Sequence, residues 1–498
     1  MAALQRRAGH GGRIFANMLH KNIRHILLLL GVTAGLWGQT PFQIVINGAR
    51  VMDPESGLDS VRSVGIGGGK IRAISEAPLA GGVTIDGSGL VLSPGFIDLH
   101  WHGKDLASGR YQLMDGVTSA LELEIGVDDV AKWYEERAGK AYLNYGASIG
   151  HVPVRMAVLG DKGAFLPSGP AAHDAASSEQ IEAIKQGLEK GMRAGAPAMG
   201  FGISYTIGAS YWEILEMFRI AAKYNARAHV HIRGASSAAG LSVDLEMGLS
   251  EVLAASAITG AALHVVHINS SGQTSTGRFL QMIQEARGRG MDVTTEAYPY
   301  TAGATRIESA LFDGWMDKLP ADYQRLQWGA TGERLTRETF LKYRKQGGSV
   351  IIHSNTEERV RQAILSPLTA IASDGFDVKE GQGHPRSAGT YSRILAKYVR
   401  EEKSLALMDA LRKMTLMPAR ILEKRVPAMR DKGRIQIGAD ADLTLFDAAH
   451  IQDKSTYEKA AVMSEGVRYV LIGGEVVVSG GKVVESARAG KPIRAVVQ

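Results

Sequence analysis

Two hydrophobic periods divide the chain. Near its start, Phe42-Gln-Ile-Val-Ile-Asn-Gly48, Val61–Ile66, Lys70–Ile74 and Val83–Asp86 are short runs that end in glycine or Asn-Gly turns. Their apolar and polar positions alternate, the period of a strand with one buried face. The same texture returns in Gly433–Phe446 and Val467–Val478. Two strand-rich ends around a different middle predict one small β-sandwich built from residues 39–93 and 429–498. Between them, apolar runs of strand length alternate with segments of helical period. The strand runs are Phe96–Leu99, Gly116–Glu124, Asn144–His151, Ala198–Tyr205, Arg227–Arg233, Leu263–Asn269, Met291–Tyr300 and Ala370–Asp374. Helical patterns lie at 127–141, 178–194, 211–224, 242–258 and 275–288, and a longer insertion precedes the last strand. Eight such units predict an α/β chain whose residues 94–428 form a (β/α)8 barrel, with its chemistry at the C-terminal ends of the strands.

Composition narrows this picture. A chain of 498 residues has room for a large domain and a small one. It has no cysteine, so disulfides, thiol nucleophiles and thiolate ligands are excluded, and a metal would have to sit on His, Asp and Glu. The formal charge of +6 does not mark a nucleic-acid surface. Five of those charges are Arg6, Arg7, Arg13, Lys21 and Arg24, in a stretch 1–38 without an acid. The apolar run Ile26–Gly38 follows. It is short for a bilayer span and suits a secretory signal peptide, with Met18 as an alternative start. The expectation is a periplasmic or secreted protein without a stable membrane span, and homo-oligomerisation stays open.

The strand ends carry the candidate chemistry. His100 and His102 are two residues apart at the end of the first strand, so both project from one face. His231 ends the fifth strand, His267 the sixth and Asp374 the eighth, while Glu122 and Glu124 share a face at the end of the second. A lone strand-end histidine is usually a hydrogen-bonded structural residue. Four converging on one barrel mouth, with acids beside them, point to a metal site for one or two divalent ions such as Zn²⁺. Asp374 stands where a general acid/base is wanted, and a second-strand Glu can bind one ion or bridge two. His229 shares a face with His231 but lies deeper. His264 is expected to face away from His267, as a structural residue.

The blocks around these residues resemble a known family. Pro94-Gly-Phe-Ile-Asp-Leu-His-Trp-His102 is similar to the first-strand signature of the amidohydrolase superfamily, and Gly438–Phe446 to its C-terminal sandwich segment. Asp115-Gly-Val-Thr118, Gly150-His151 with Arg155, His231-Ile-Arg233, Tyr298-Pro-Tyr-Thr-Ala-Gly303, Ser373-Asp-Gly375 and His384-Pro-Arg386 resemble the N-acyl-D-amino-acid deacylase (D-aminoacylase) family. The resemblance implies a metal-dependent hydrolase of the amide bond of a small N-acyl-D-amino acid, N-acyl-D-glutamate among them. His100, His102, Glu124, His231, His267 and Asp374 would hold the metal, with Glu122 as the alternative to Glu124. Arg386 would clamp the substrate carboxylate, Tyr298 or Tyr300 would assist, and His151, Arg233 and Asn269 would lie on the substrate side. Three positions depart from the pattern. Relatives place a Cys near the end of strand two, where this chain has only Glu122 and Glu124. Asn269 replaces a typical Lys, and Ala304 a frequent Ser. Cyclic amide or imide hydrolysis and isoaspartyl dipeptide cleavage use the same apparatus and remain alternatives. Gly200-Phe-Gly-Ile-Ser204 argues against the relatives that carry a carboxylated Lys there. A non-catalytic exported binding protein is a further alternative and would need a broken metal site.

Overall fold

The computed structural model describes residues 42–103, 105–234, 245–378 and 383–498. The expected signal peptide, 1–38, and the first residues of the expected helix 242–258 lie outside the described residues. Eight strands form one parallel sheet in sequence order: Phe96–Asp98, Val117–Val127, Asn144–Gly150, Ala198–Gly202, Arg227–His231, Leu263–Val265, Val293–Ala297 and Thr369–Ile371. Their residues are buried almost throughout, which is why they read as continuous apolar runs and not as alternation. The barrel closes just past its first and last strands. There Asp98 Oδ1 accepts from Ser373 N at 3.0 Å, and His102 N donates to Gly375 O at 2.7 Å. The outer helices obey the same bookkeeping of faces. Ser178–Arg193 starts at a reciprocal capping box between Ser177 and Gln180 and buries Ile181, Ile184, Leu188 and Met192 along one stripe.

The two chain ends join in a nine-stranded sheet. Val91–Pro94, just before the barrel, pairs antiparallel with Leu443–Phe446, just after it. Phe42–Asp53 bends at an irregularity between Ile46 and Ala49, so its first part pairs with Gly81–Asp86 and its second with Val91–Pro94. Residues from both ends, such as Ile46, Val64, Leu92, Leu443 and Leu471, share one core. Within 429–498, the last residues leave this sheet and return to the barrel, where Ile493 N donates to Tyr145 O at 2.7 Å. The insertion before the eighth barrel strand is a small antiparallel sheet of Ala302–Arg306, Leu326–Trp328 and Ser349–His353, with its own core around Phe312, Phe340 and Tyr343. Among the described residues, no helix is long and apolar enough to cross a membrane.

A buried charge cluster locks the sheet to the barrel. Lys432 Nζ lies 2.6 Å from Asp442 Oδ2 and 2.9 Å from Asp440 Oδ2. Asp442 also accepts from Asn144 Nδ2, on the third barrel strand, at 2.8 Å and from Gly473 N at 2.7 Å. The segment Gly438-Ala-Asp-Ala-Asp thus places alternate acids on the inward face, where both meet one buried lysine. Asp442→Ala should cost about 3 kcal/mol, the low end for breaking a buried ion pair because Asp440 still holds the ammonium. Urea unfolding of the two proteins measures it.

Candidate metal centre

The first barrel strand ends in a segment that is held from both sides. His100 bridges to Glu122 and Trp101 to Gly375, so the two imidazoles are presented by a fixed backbone. Gly103 closes the segment because a Cβ there would lie 2.0 Å from the Trp101 ring. His100 and His102 turn their Nε2 atoms toward one another at 3.1 Å, and their Nδ1 atoms face carboxylates. His100 Nδ1 is 2.5 Å from Glu296 Oε1, and His102 Nδ1 is 2.6 Å from Glu122 Oε2. A carboxylate faces each Nδ1, so the two Nε2 atoms are the ones turned to the centre. Two ring nitrogens that close are favourable when a proton or a metal ion lies between them. All four groups are buried.

Glu124 stands at the centre. Its Oε2 lies 3.3 Å from His100 Nε2 and 3.1 Å from His102 Nε2. Its Oε1 lies 2.7 Å from His231 Nδ1 and 3.2 Å from His267 Nε2. One carboxylate therefore serves two imidazole pairs. The seat is open because the fourth strand has no side chain at Gly200, where a Cβ would come within 2.3 Å of the Glu124 carbonyl oxygen. Asp374 Oδ1 is 3.5 Å from both His100 Nε2 and His102 Nε2, and its Oδ2 is 2.8 Å from Arg386 Nη1. The donor atoms of His100, His102 and Glu124 lie within 4.8 Å of one another. So do those of His100, His267 and Asp374, and those of Glu124, His231 and His267. Imidazole and carboxylate donors in overlapping triads, all buried except the partly exposed His231, fit one or two ions of the Zn²⁺ type. His267 and Asp374 carry positive φ, 33° and 52°, a sparsely populated backbone of the kind that collects at functional sites.

The electrostatics fit the same reading. Burial opposes charge on His100 and His102, yet the carboxylates around them outweigh it and raise both rings well above the ordinary histidine value. Burial likewise opposes charge on Glu124, but the imidazoles hold it well below the carboxylate range. Burial would raise Asp374, and Arg386 with His100 holds it down to about 2. Burial lowers His267, and the neighbouring His231 adds to this. The six residues expected to hold a metal are thus brought together as a candidate cation site.

The surrounding residues sort differently from expectation. Glu122 does not share the seat of Glu124; it orients His102 from behind and accepts from Ile125 N and Gly126 N at 3.2 Å. Arg386 lines the cavity of about 270 Å³ above the centre, at the start of helix Arg386–Arg393. Tyr298 lies beneath it, with its ring 4.9 Å from the guanidinium carbon and its hydroxyl pushed up to about 12 by burial. Tyr300 turns away from the cavity and points its hydroxyl at Pro385 O, 3.4 Å away, beside Arg393. His151 is buried and bonded to Glu213 at 2.7 Å, in an ion-pair cluster with Arg155. Arg233 is spent on a bidentate pair with Glu251 at 2.9 and 3.0 Å. Asn269 is buried and donates to Tyr298 O at 3.1 Å. Tyr298, Tyr300, His151, Arg233 and Asn269 therefore support the walls and do not line the cavity. His264 turns inward rather than away, with Nε2 3.0 Å from Glu296 Oε2. His229 is buried against its ring.

Sequence reasoning missed Glu296, which holds His100. Its signal was a lone acid inside a buried apolar strand. It also missed the cavity wall given by the insertion, where Arg306, Trp315, Lys318 and Arg325 face the centre. No hydrophobic period marks those positions.

Comparison with known proteins places this geometry in context. The profile of the amidohydrolase family matches residues 83–478. An N-acyl-D-glutamate deacylase of Alcaligenes xylosoxydans xylosoxydans is 27% identical over 484 residues, covering 88% of this chain and 93% of the relative. A D-aminoacylase of the same organism is 27% identical over 478 residues, covering 87% and 94%. The crystal structure of N-acyl-D-glutamate deacylase from Bordetella bronchiseptica, complexed with zinc and a phosphonate mimic of the tetrahedral intermediate, superposes with a TM-score of 0.76. It is 23% identical and covers 91% of this chain and all of that one, a likeness of fold.

The geometry separates the two second-strand acids. Glu124→Ala should lose bound zinc, read by elemental analysis of the purified protein. Glu122→Gln should keep the stoichiometry at saturating zinc while weakening affinity about 10–100-fold, the usual cost of removing a partner that orients a ligand. Equal effects of the two changes would overturn the assignment.

Proposed function

Because the chain belongs to the amidohydrolase family, we propose that it is a metal-dependent hydrolase that removes the acyl group from an N-acyl-D-amino acid, with glutamate as the favoured residue. The observation that carries this reading is Glu124 between two imidazole pairs, with Asp374 and Arg386 paired beside it at the cavity floor. His100, His102, Glu124, His231, His267 and Asp374 would hold the metal, with zinc the ion that suits these donors. Bound there, such an ion supplies Lewis acidity, lowering the pKa of a water and polarising the amide carbonyl. Asp374 is ionised at neutral pH and so can take the proton from the attacking water. The same carboxyl then returns it to the leaving nitrogen, which departs as an amine. Arg386 offers a planar guanidinium to the α-carboxylate, steadied by Tyr298 beneath and by Ala304 O at 3.3 Å. Lys318 and Arg325 add positive charge to the same wall, where Arg306 is paired with Glu308 at 2.6 Å, and this favours a second carboxylate on the substrate. The preference for D-stereochemistry rests on the similarity to the deacylases. The basic and then apolar order of residues 1–38 supports export to the periplasm; a cytoplasmic pool carrying the intact N-terminus would refute that part.

A panel of N-acetyl-D- and N-acetyl-L-amino acids beside dihydroorotate tests the reading. Turnover of the D-glutamate derivative, lost on chelation and restored by zinc, is the expected result. Preference for the cyclic amide, or indifference to chelation, would contradict it. Asp374→Asn should lower kcat about 10²–10⁴-fold, as removal of a general acid/base does. Arg386→Lys should chiefly raise KM.

A further inference from the structure

The two carboxylates that back the paired imidazoles are anchored in different ways. Glu122 gives Oε2 to His102, and its Oε1 accepts from the backbone N–H groups of Ile125 and Gly126, both at 3.2 Å. Glu296 gives Oε1 to His100 at 2.5 Å, and its Oε2 has no such backbone anchor. Among the described residues the hydrogen-bond partner of that oxygen is His264, whose Nε2 lies 3.0 Å away. Glu296 and His264 are both buried. The His264 ring is fixed in its turn. A carboxylate only accepts, so the ring hydrogen stands on Nε2 and is donated to Glu296. Burial holds His264 below the ordinary histidine value, so the ring is neutral at neutral pH and Nδ1 carries a lone pair. The Thr294 hydroxyl, 2.8 Å away, is the donor that suits it, since its other acceptor, Leu263 O, is more distant at 3.4 Å. The His229 ring lies against His264, with centroids 4.5 Å apart, and makes no hydrogen bond of its own among the described residues. Thr294, His264, Glu296 and His100 thus form one line of donors and acceptors from the barrel interior to the centre.

Such a line fixes the tautomer and the rotation of a ring that must present one particular nitrogen. We propose that His264 is a positioning residue of the metal centre, acting through Glu296 to keep the His100 ring turned with Nε2 toward Glu124. The inference rests on the metal-centre reading above. His264 hydrogen-bonds to Glu296 and Thr294 and to none of the six candidate ligands, so its effect passes through Glu296. Without it, the outer oxygen of Glu296 would be a buried acceptor lacking a donor, a costly state for a polar group. The carboxylate would then turn to another partner at the expense of its contact with His100.

A double-mutant cycle in zinc affinity tests this, with the apo-protein competing against a chromogenic chelator and no substrate present. Glu296→Gln should weaken zinc binding about 10–100-fold, as loss of a partner that orients a ligand does. His264→Phe should weaken it about tenfold, and the double variant should bind no more weakly than Glu296→Gln alone, because one path carries both effects. His264→Gln keeps a side-chain N–H for Glu296 and should restore most of the affinity. A residue that merely fills the barrel interior gives a different pattern. Wild-type affinity in His264→Phe, equal losses for Phe and Gln, or losses that add in full to Glu296→Gln would overturn the inference. Should His264→Phe fail to fold, Thr294→Val leaves the ring in place and takes away the hydroxyl that fixes it. It should weaken zinc about two- to tenfold, the worth of one neutral hydrogen bond, and unchanged affinity would overturn the inference. Wild-type protein that binds no zinc would overturn the metal-centre reading and this inference with it.

Discussion

The carboxylate of Glu124 sits between two pairs of imidazoles, with one oxygen turned to each. Four histidines and a glutamate packed so closely do not form a stable apolar floor. Their nitrogens face inward, and the arrangement is favourable around positive charge. Much else in the barrel mouth follows from that constraint. Glu122 and Glu296 stand behind His102 and His100 to fix which nitrogen points in, and Ser271 does the same for His267 at 3.1 Å. Gly200 leaves the fourth strand bare so that the second can reach the centre. The positive φ of His267 and Asp374 is backbone strain held by the same packing.

This second layer joins the chemistry to the closure of the fold. Glu296 binds His100 on one oxygen and His264 on the other, so the floor of the site continues into the barrel interior. Asp98, two residues before His100, stitches the first strand to Ser373 next to Asp374. The first and eighth strands are therefore joined at the point where each delivers its residue to the candidate metal centre. A change that loosened the seam would move His100 and Asp374 apart together.

Much of this was legible in the sequence, for physical reasons that differ by element. The eight strands could be read because each is buried on both faces and so appears as an apolar run of strand length. The ends were legible because strands of a half-exposed sheet alternate. The central residues were legible because they fall at strand ends, where a histidine or acid has no structural need to be. The reading failed where local pattern says nothing of direction. Glu122 and Glu124 share a face, yet one meets the outer nitrogen of His102 and the other its inner one. His151, Arg233 and Asn269 lie close to the site in sequence, but buried partners such as Glu213 and Glu251 claim the first two and the Tyr298 backbone the third. The insertion that walls the cavity folds on its own core around Phe340 and follows no barrel period.

Family membership, fold and donor set converge on metal-assisted hydrolysis, and the central claim is that Glu124 is the group shared between the imidazole pairs. Anomalous scattering from a zinc-loaded crystal, collected across the zinc edge, tests this most directly. The account predicts a peak about 2.0–2.2 Å from a Glu124 carboxylate oxygen and within similar reach of histidine nitrogens of at least one pair. Zinc bound with Glu124 turned away, or with Glu122 in its place, would contradict it.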